Sequence, residues 1–247
     1  MIDRRSMLTG LGNSLALAAI AKAASASDAV SAPAKETIAI LGAGKLGGAL
    51  GKRLVAAGYR VIFGSRTPDA ERVQALIKSS GPKASAATLA DAVAHSPIVV
   101  FALPWEPVKD ILPRLGDMSG KLLIDPMNAA PRVIDGYPFR PDTSTSVAEE
   151  LQRLVPGASV LKAFNAISAN DLADPARASG PISIPLAGAE GDHKMRLLQL
   201  VSNLGLDPVD FGPLVVARYI EDLLWFEVAC VRHNKKLYEL YMRPMPA

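Results

Sequence analysis

The sequence predicts an α/β fold built on a doubly wound parallel sheet. Three observations predict it. A G-x-G-x-x-G turn, Gly42, Gly44 and Gly47, follows a short apolar strand segment and opens a helical one. Downstream, short apolar runs rich in β-branched residues alternate with segments of helical spacing. The chain has 247 residues, 49% of them apolar and 21% charged, which is ample for a core.

The elements follow in order. Thr37–Leu41 reads as a β-branched, apolar strand. Lys45–Ala57 has helical spacing, with Leu46, Leu50 and Leu54 on one face, and Gly58 stops it. Arg60–Phe63 is a second strand, and Asp69–Ser79 a helix with Val73, Leu76 and Ile77 on one side. A short strand at Lys83–Ala86 and a helix at Thr88–Ala94 come next. Ile98–Leu103 is a continuous apolar run, as expected of a strand covered on both faces. A helix over Glu106–Leu115, a strand at Leu122–Asp125, a helix over Ser146–Leu154 and a strand at Ser159–Ala163 complete about six strands. That number suits a Rossmann-like doubly wound sheet with right-handed crossovers.

Beyond it, Ile182–Leu186 and Pro208–Phe211 read as two added strands flanking a helix over Asp192–Leu204. Together with the tail they form a small C-terminal strand-helix extension. The tail, Leu214–Leu240, is one long helix or two. Its middle is apolar on more than one face, so it packs into the domain or against a second subunit.

Composition excludes several function classes. The net charge is +3, and no basic run is interleaved with aromatics, so nucleic acid is not an expected partner. One cysteine, Cys230, rules out an intrachain disulfide and a cysteine-cluster metal site. The three histidines, His95, His193 and His233, show no zinc spacing.

The amino terminus departs from this pattern. A short charged start, an uncharged stretch from Ser6 to Ala21 and small residues thereafter suit a cleaved export signal. Arg4-Arg5 followed by Ser6, Met7 and Leu8 resembles a twin-arginine signal. The apolar part is too short to span a bilayer. The competing reading is an N-terminal extension carrying two chance arginines. Export implies a periplasmic location, its absence a cytoplasmic one. A Ser/Ala/Pro-rich linker runs from Ser25 to Lys35.

In the glycine turn, Gly42 permits the tight bend, Gly44 lets a pyrophosphate approach the backbone, and Gly47 allows helix and strand to pack closely. The helix amino terminus then turns free N–H groups and a partial positive charge toward the phosphates. Many such sites carry an acidic residue after the second strand to hold the ribose hydroxyls. This chain has Ser65-Arg66-Thr67 there. A carboxylate would repel a 2′-phosphate, whereas Arg66 pairs with one and two hydroxyls donate to it. The predicted dinucleotide is therefore NADP(H), with Arg72 one helical turn further as added charge or as a solvated surface residue.

The carboxyl ends of the later strands form the rim facing the nicotinamide: Leu103-Pro104-Trp105, Pro126-Met127-Asn128 and Phe164-Asn165-Ala166. Trp105 is either a wall of the substrate pocket or a core residue at a helix start. Asn165 is either a hydrogen-bonding group for a carboxamide or carbonyl, or a turn stabiliser. Asp125 reads as a turn cap rather than a base. No histidine, tyrosine–lysine pair or carboxylate pair occupies this rim. Carbonyl reduction needs a proton donor; hydride exchange between two organic cofactors proceeds on positioning.

The segments "ILGAGKLGGALGKRLVAAGYRVIFGSR", "ALPWEPV", "TSVAEELQRLVPGASVLKAFNAIS" and "LGLDPVDFGPLVVARYIEDL", in that order, resemble the coenzyme-F420-dependent NADP oxidoreductase family. "VLKAFNAIS" also resembles the NADPH-binding domain of the six-transmembrane epithelial antigen of prostate ferrireductases. The resemblance implies hydride transfer between NADP(H) and coenzyme F420 or a flavin. It implies that Gly44, Lys45, Leu46, Gly47, Ser65 and Arg66 hold the dinucleotide, beside Gly42, Ala43 and Thr67 of the same two turns, with Leu103 and Pro104 near the nicotinamide. In the archaeal deazaflavin enzymes a histidine is expected where Asn165 stands. Gly212-Pro213-Leu214 and Ala217-Arg218 would close the pocket and join a homodimer. The expected organisation is a signal peptide over 1–27, a linker over 28–35, an NADP-binding domain over 36–175 and the extension over 176–247. An NADP-dependent imine or keto-acid reductase, using Lys162 and Asn165, and a non-catalytic NADP-binding module are the other readings.

Overall fold

The structure, a computed structural model of the chain, describes residues 35–178 and 180–234. The expected signal peptide, nearly all of the linker and the end of the predicted tail helix lie outside the described residues.

The first half is βαβαβ: β1 (Thr37–Leu41), α1 (Lys45–Ala56), β2 (Arg60–Gly64), α2 (Glu71–Ser80) and β3 (Ala84–Ala87). The second half adds α3 (Leu89–Ala94), β4 (Ile98–Phe101), α4 (Trp105–Ile111) and β5 (Leu122–Asp125). A hairpin of β6 (Arg132–Ile134) and β7 (Tyr137–Phe139) follows, then α5 (Val147–Leu154), β8 (Ser159–Lys162) and α6 (Ala169–Ala173). β9 (Ser183–Gly188), α7 (Asp192–Asn203), β10 (Asp207–Asp210) and α8 (Ala217–Asn234) end the described chain.

Among the described residues the main sheet has eight strands in the order β10-β9-β8-β5-β4-β1-β2-β3. The six from β8 to β3 are parallel, with the reversal of strand order between β1 and β4 that doubly wound sheets use for ligands. β9 runs antiparallel to β8, pairing Leu161 with Gly188 and Lys162 with Ala187, and β10 is parallel to β9. The expected extension thus continues the same sheet.

Alternation along each strand makes two cores. Ile38, Ile40, Ile98, Val100, Leu122 and Ile124 face one side, under Leu50 and Leu54 of α1 and Leu197 and Val201 of α7. Ala39, Leu41, Val99, Phe101 and Leu123 face the other, under α3, α4, α5 and the start of α8. Each fully buried Leu or Ile contributes about 1.5–3 kcal/mol.

Local chemistry explains the element ends. Thr88 Oγ1 accepts the Asp91 N–H and starts α3. Ser146 and Glu149 form a capping box at the start of α5. The predicted helix over Glu106–Leu115 breaks at Ile111 and continues as a 3-10 turn over Leu112–Arg114. Pro113 is the reason, since it lacks an N–H and crowds the preceding turn. The strand predicted over Ile98–Leu103 ends at Phe101, because its partner β1 ends opposite it at Leu41 before the glycine turn. The hairpin and α6 were not expected. Their segments are too short for periodicity to register, although Asp135 and Gly136, both at positive φ, carry the hairpin signal.

Candidate dinucleotide site

The glycine turn leaves β1 at the strand-order reversal. Gly42 has φ +110°, and its N–H donates to Gly64 O at 3.0 Å, which sets the turn beside the end of β2. A Cβ on Gly42 would run into the Ala102 carbonyl, and one on Gly47 into the Gly42 carbonyl. At Gly44 a Cβ would meet nothing within 4 Å, so the backbone there faces open space. Gly44 is the N-cap of α1 and no side chain caps that helix, leaving its first N–H groups to a ligand.

The open space is a cleft of about 670 Å³. Gly42, Ala43, Gly44, Ser65, Arg66, Thr67, Leu103 and Pro104, all expected at the site, line it. Lys45, Leu46 and Gly47 form the first turn of α1 directly behind Gly44. Arg72 also lines the cleft. Ser65 is buried, its Oγ accepting the Thr67 N–H at 3.2 Å, so the β2 end is tied into a fixed bend. Arg66 and Arg72 are exposed and paired with no carboxylate among the described residues, and no carboxylate lines the cleft. Their guanidinium groups are thus available to a phosphate. An apolar wall of Leu89, Pro107 and Ile111 faces them and was missed by sequence reasoning. Only the fold brings the start of α3 and the length of α4 beside the end of β2.

Trp105 is corrected to its core alternative. It is 2% exposed, begins α4 and packs in the second core, with the Lys109 ammonium 4.9 Å from its ring centre. It forms no pocket wall.

At the ends of β5 and β8 the rim carries an amide pair. Asn165 Nδ2 donates to Ile220 O at 2.9 Å and to Asn128 Oδ1 at 3.2 Å, while Asn128 Nδ2 donates to Asn165 O at 3.3 Å. Asn165 Oδ1 is buried and has no partner among the described residues. Phe164, just before it, is buried at φ +63°, a left-handed conformation that a bulky residue adopts only under constraint.

Beneath the rim lies a group that sequence reasoning did not assemble. The Lys162 ammonium donates to Asp125 Oδ2 at 3.1 Å, to Glu221 Oε1 at 2.8 Å and to Met127 O. Asp125 Oδ1 accepts the Met127 N–H and Glu221 Oε1 the Val147 N–H. Asp125 and Lys162 are fully buried and Glu221 nearly so. Burial pushes both carboxyl groups up from their ordinary range, against the opposing pull of Lys162. Asp125 does take the N–H two residues on, as a turn cap should, but also binds Lys162. The Lys162–Asp125 part was legible in principle from their places at two strand ends; Glu221 was not.

Another hollow, about 450 Å³, lies among Lys109, Gly116–Ser119 and Leu154–Ala158, at the amino ends of β5 and β8. It is on the opposite edge of the sheet from the glycine turn and carries none of its features.

Comparison with known proteins agrees with this geometry. The family described as NADP oxidoreductase, coenzyme F420-dependent, matches residues 37–129. Rat metalloreductase STEAP3 is 31% identical over 185 residues, covering 74% of this chain and 35% of that protein. The chain thus spans about a third of the length of the curated relatives it matches. A crystal structure from Arthrobacter sp. FB24, described as an F420-dependent NADP-reductase, aligns with TM-score 0.74 and 27% identity over 84% of this chain and 100% of that one. A hypothetical protein from Sinorhizobium meliloti aligns with TM-score 0.64 and 34% identity over 73% of this chain and 87% of that one. With this fold and this glycine turn, residues 37–129 of the chain form a domain of the coenzyme-F420-dependent NADP oxidoreductase type.

Proposed function

We propose that this chain binds NADP(H) in the cleft and transfers hydride between it and a deazaflavin of the F420 type or a flavin. The observation that carries the reading is the cleft mouth: two unpaired arginines and two hydroxyl residues, with no carboxylate, at the end of β2. Arg66, Arg72, Ser65 and Thr67 would hold the 2′-phosphate, and Leu89, Pro107 and Ile111 would flank the adenine. Gly44 and the α1 amino terminus would take the pyrophosphate. Leu103 and Pro104 would support the nicotinamide from the end of β4. When bound, NADPH supplies a hydride to the acceptor ring, which takes its balancing proton from water.

The acceptor class rests on what the rim lacks. Among the described residues, its polar groups are the amides of Asn128 and Asn165. Lys162 has no exposed surface and its ammonium is already bound by two carboxylates and a carbonyl, so it does not serve as the proton donor an imine or keto-acid reductase would need. Glu106 accepts the Ala130 N–H at 3.1 Å. An acceptor that requires positioning rather than a protein proton fits such a rim.

Stopped-flow mixing of the purified protein with NADPH and a panel of acceptors tests the proposal. Oxidation that depends on F420 or a flavin supports it. Oxidation driven by imines or keto acids instead overturns the acceptor, and binding with no turnover would indicate an NADP-binding module.

Two further features belong to the same proposal. Val133, Ile134 and Phe139 of the hairpin and Phe226 of α8 are 41–60% exposed, an apolar face that supports a homodimer; sedimentation at the monomer mass would reject it. Arg4-Arg5 supports twin-arginine export of the folded, NADP-loaded protein to the periplasm, which cell fractionation tests.

A further inference from the structure

We propose that Lys162 and Glu221 are positioning residues: they form a buried charge knot under the rim that holds the Asn128–Asn165 amide pair where the nicotinamide of a bound NADP(H) would lie. This rests on the NADP(H) reading above. A dinucleotide lying across the strand-order reversal, with its adenosine at the end of β2, places its nicotinamide toward the ends of β4, β5 and β8. The knot sits under the last two.

Its bonds join four segments: β8, the end of β5 with the loop after it, α8 and the start of α5. Lys162 ends β8, Asp125 ends β5, Met127 begins the rim loop, and Glu221 lies on α8. Glu221 also takes the first N–H of α5, from Val147, at 2.9 Å. One layer outward, Ile220, the neighbour of Glu221, offers its carbonyl to Asn165 Nδ2. Asn128, the neighbour of Met127, exchanges hydrogen bonds with Asn165. Each knot residue on the loop and on α8 is thus adjacent in sequence to a group that orients the amides. Ile220 O and Asn165 O can only accept, so neither amide can turn over without losing a bond. The left-handed backbone at Phe164, between Lys162 and Asn165, is the mark of a position determined from both sides.

Stability alone does not call for this arrangement, since apolar residues of similar volume serve a buried core as well or better. Ionic bonds add direction. The charge count adds sensitivity: two carboxylates face one ammonium. Neighbouring charges on the packed elements are engaged elsewhere, Glu149 with Arg218, Glu150 with Lys109 and Asp222 with Arg140. With both carboxyl groups pushed up by burial, the knot retains a proton at lower pH and gives it up as pH rises. Two carboxylates then repel across Lys162, and the rim loosens as pH rises.

The test compares Glu221→Ala with Glu221→Gln in the full chain. Three readouts are used: NADPH affinity, hydrogen exchange of residues 126–130 and 217–222, and the single-turnover hydride rate against pH. Glu221→Ala is expected to slow hydride transfer roughly ten- to a hundredfold. It should speed exchange at both segments and leave NADPH affinity, set at the phosphate end, in place. Glu221→Gln, whose side-chain oxygen can still accept from Lys162 and Val147, should restore most of the rate and remove the decline with rising pH. Wild-type rate and exchange in Glu221→Ala would overturn the proposal. So would loss of affinity and rate together in both variants, which marks a general structural role. If the wild type binds no NADPH, the cleft reading fails, and the exchange comparison still decides whether the knot holds the rim.

Discussion

Lys162 Nζ lies 2.8 Å from Glu221 Oε1, and neither side chain exposes more than 1% of its surface. The pair joins a central strand to the last described helix without water between them. Such a pair is expensive to break from one side, because the surviving charge stays buried.

Lys162→Met is therefore expected to cost about 3–5 kcal/mol of stability. Asp125 and Glu221 would face each other with no cation. Both can accept a proton, so the deficit should shrink as pH falls. Urea denaturation at pH 5 and pH 8 measures it. An equal deficit at the two values would show that the carboxylates do not feel each other.

Gly44 and Gly47 should separate ligand binding from folding. Gly47→Ala puts a methyl against the Gly42 carbonyl and should destabilise the fold by about 1–3 kcal/mol. Gly44→Ala enters empty space, so its melting temperature should stay near that of the wild type while NADPH binding falls. Calorimetric titration beside thermal denaturation separates the two effects. Intact NADPH affinity in Gly44→Ala would place the pyrophosphate elsewhere.

Arg66→Ala should weaken NADPH binding by roughly ten- to a hundredfold, the worth of one charge-assisted hydrogen bond of about 1.5–3 kcal/mol. NADH binding should change little. Fluorescence titration with both dinucleotides measures this. Equal losses would remove the 2′-phosphate from the β2 end.

Glu227 on α8 supplies a pH dependence. Burial raises its carboxyl from 4.5 to about 7. A raised value means the folded state holds the proton more tightly than the unfolded one. Its contribution is full below pH 4.5 and is lost as pH rises through about 7. Glu227→Gln should gain on the wild type across that window, reaching its largest advantage at pH 8. A constant gap from pH 4.5 to 8 in parallel urea titrations would exclude this.

Most of the fold was legible because its signals are local. The strand–glycine–helix start, the apolar runs of Ile98–Phe101 and Leu122–Asp125, and the caps at Thr88 and Ser146 each act over a few residues. The cleft mouth was legible for the same reason: Gly42, Gly44, Ser65 and Arg66 sit at fixed offsets from two consecutive strands. Trp105 was ambiguous, since an aromatic residue after a buried strand begins a helix equally well facing the core or the cleft. The 2% exposure resolves that only once α4 is docked.

The sequence by itself determined the doubly wound sheet, the phosphate-binding turn and the basic group after β2, because chain geometry and residue chemistry over short spans suffice for them. Tertiary structure decided the rest. It set the antiparallel entry of β9, the wall of Leu89, Pro107 and Ile111, and the meeting of Lys162 with Asp125 and Glu221. These join residues up to 59 positions apart, and only packing of the strands and α8 into one core brings them within bonding distance.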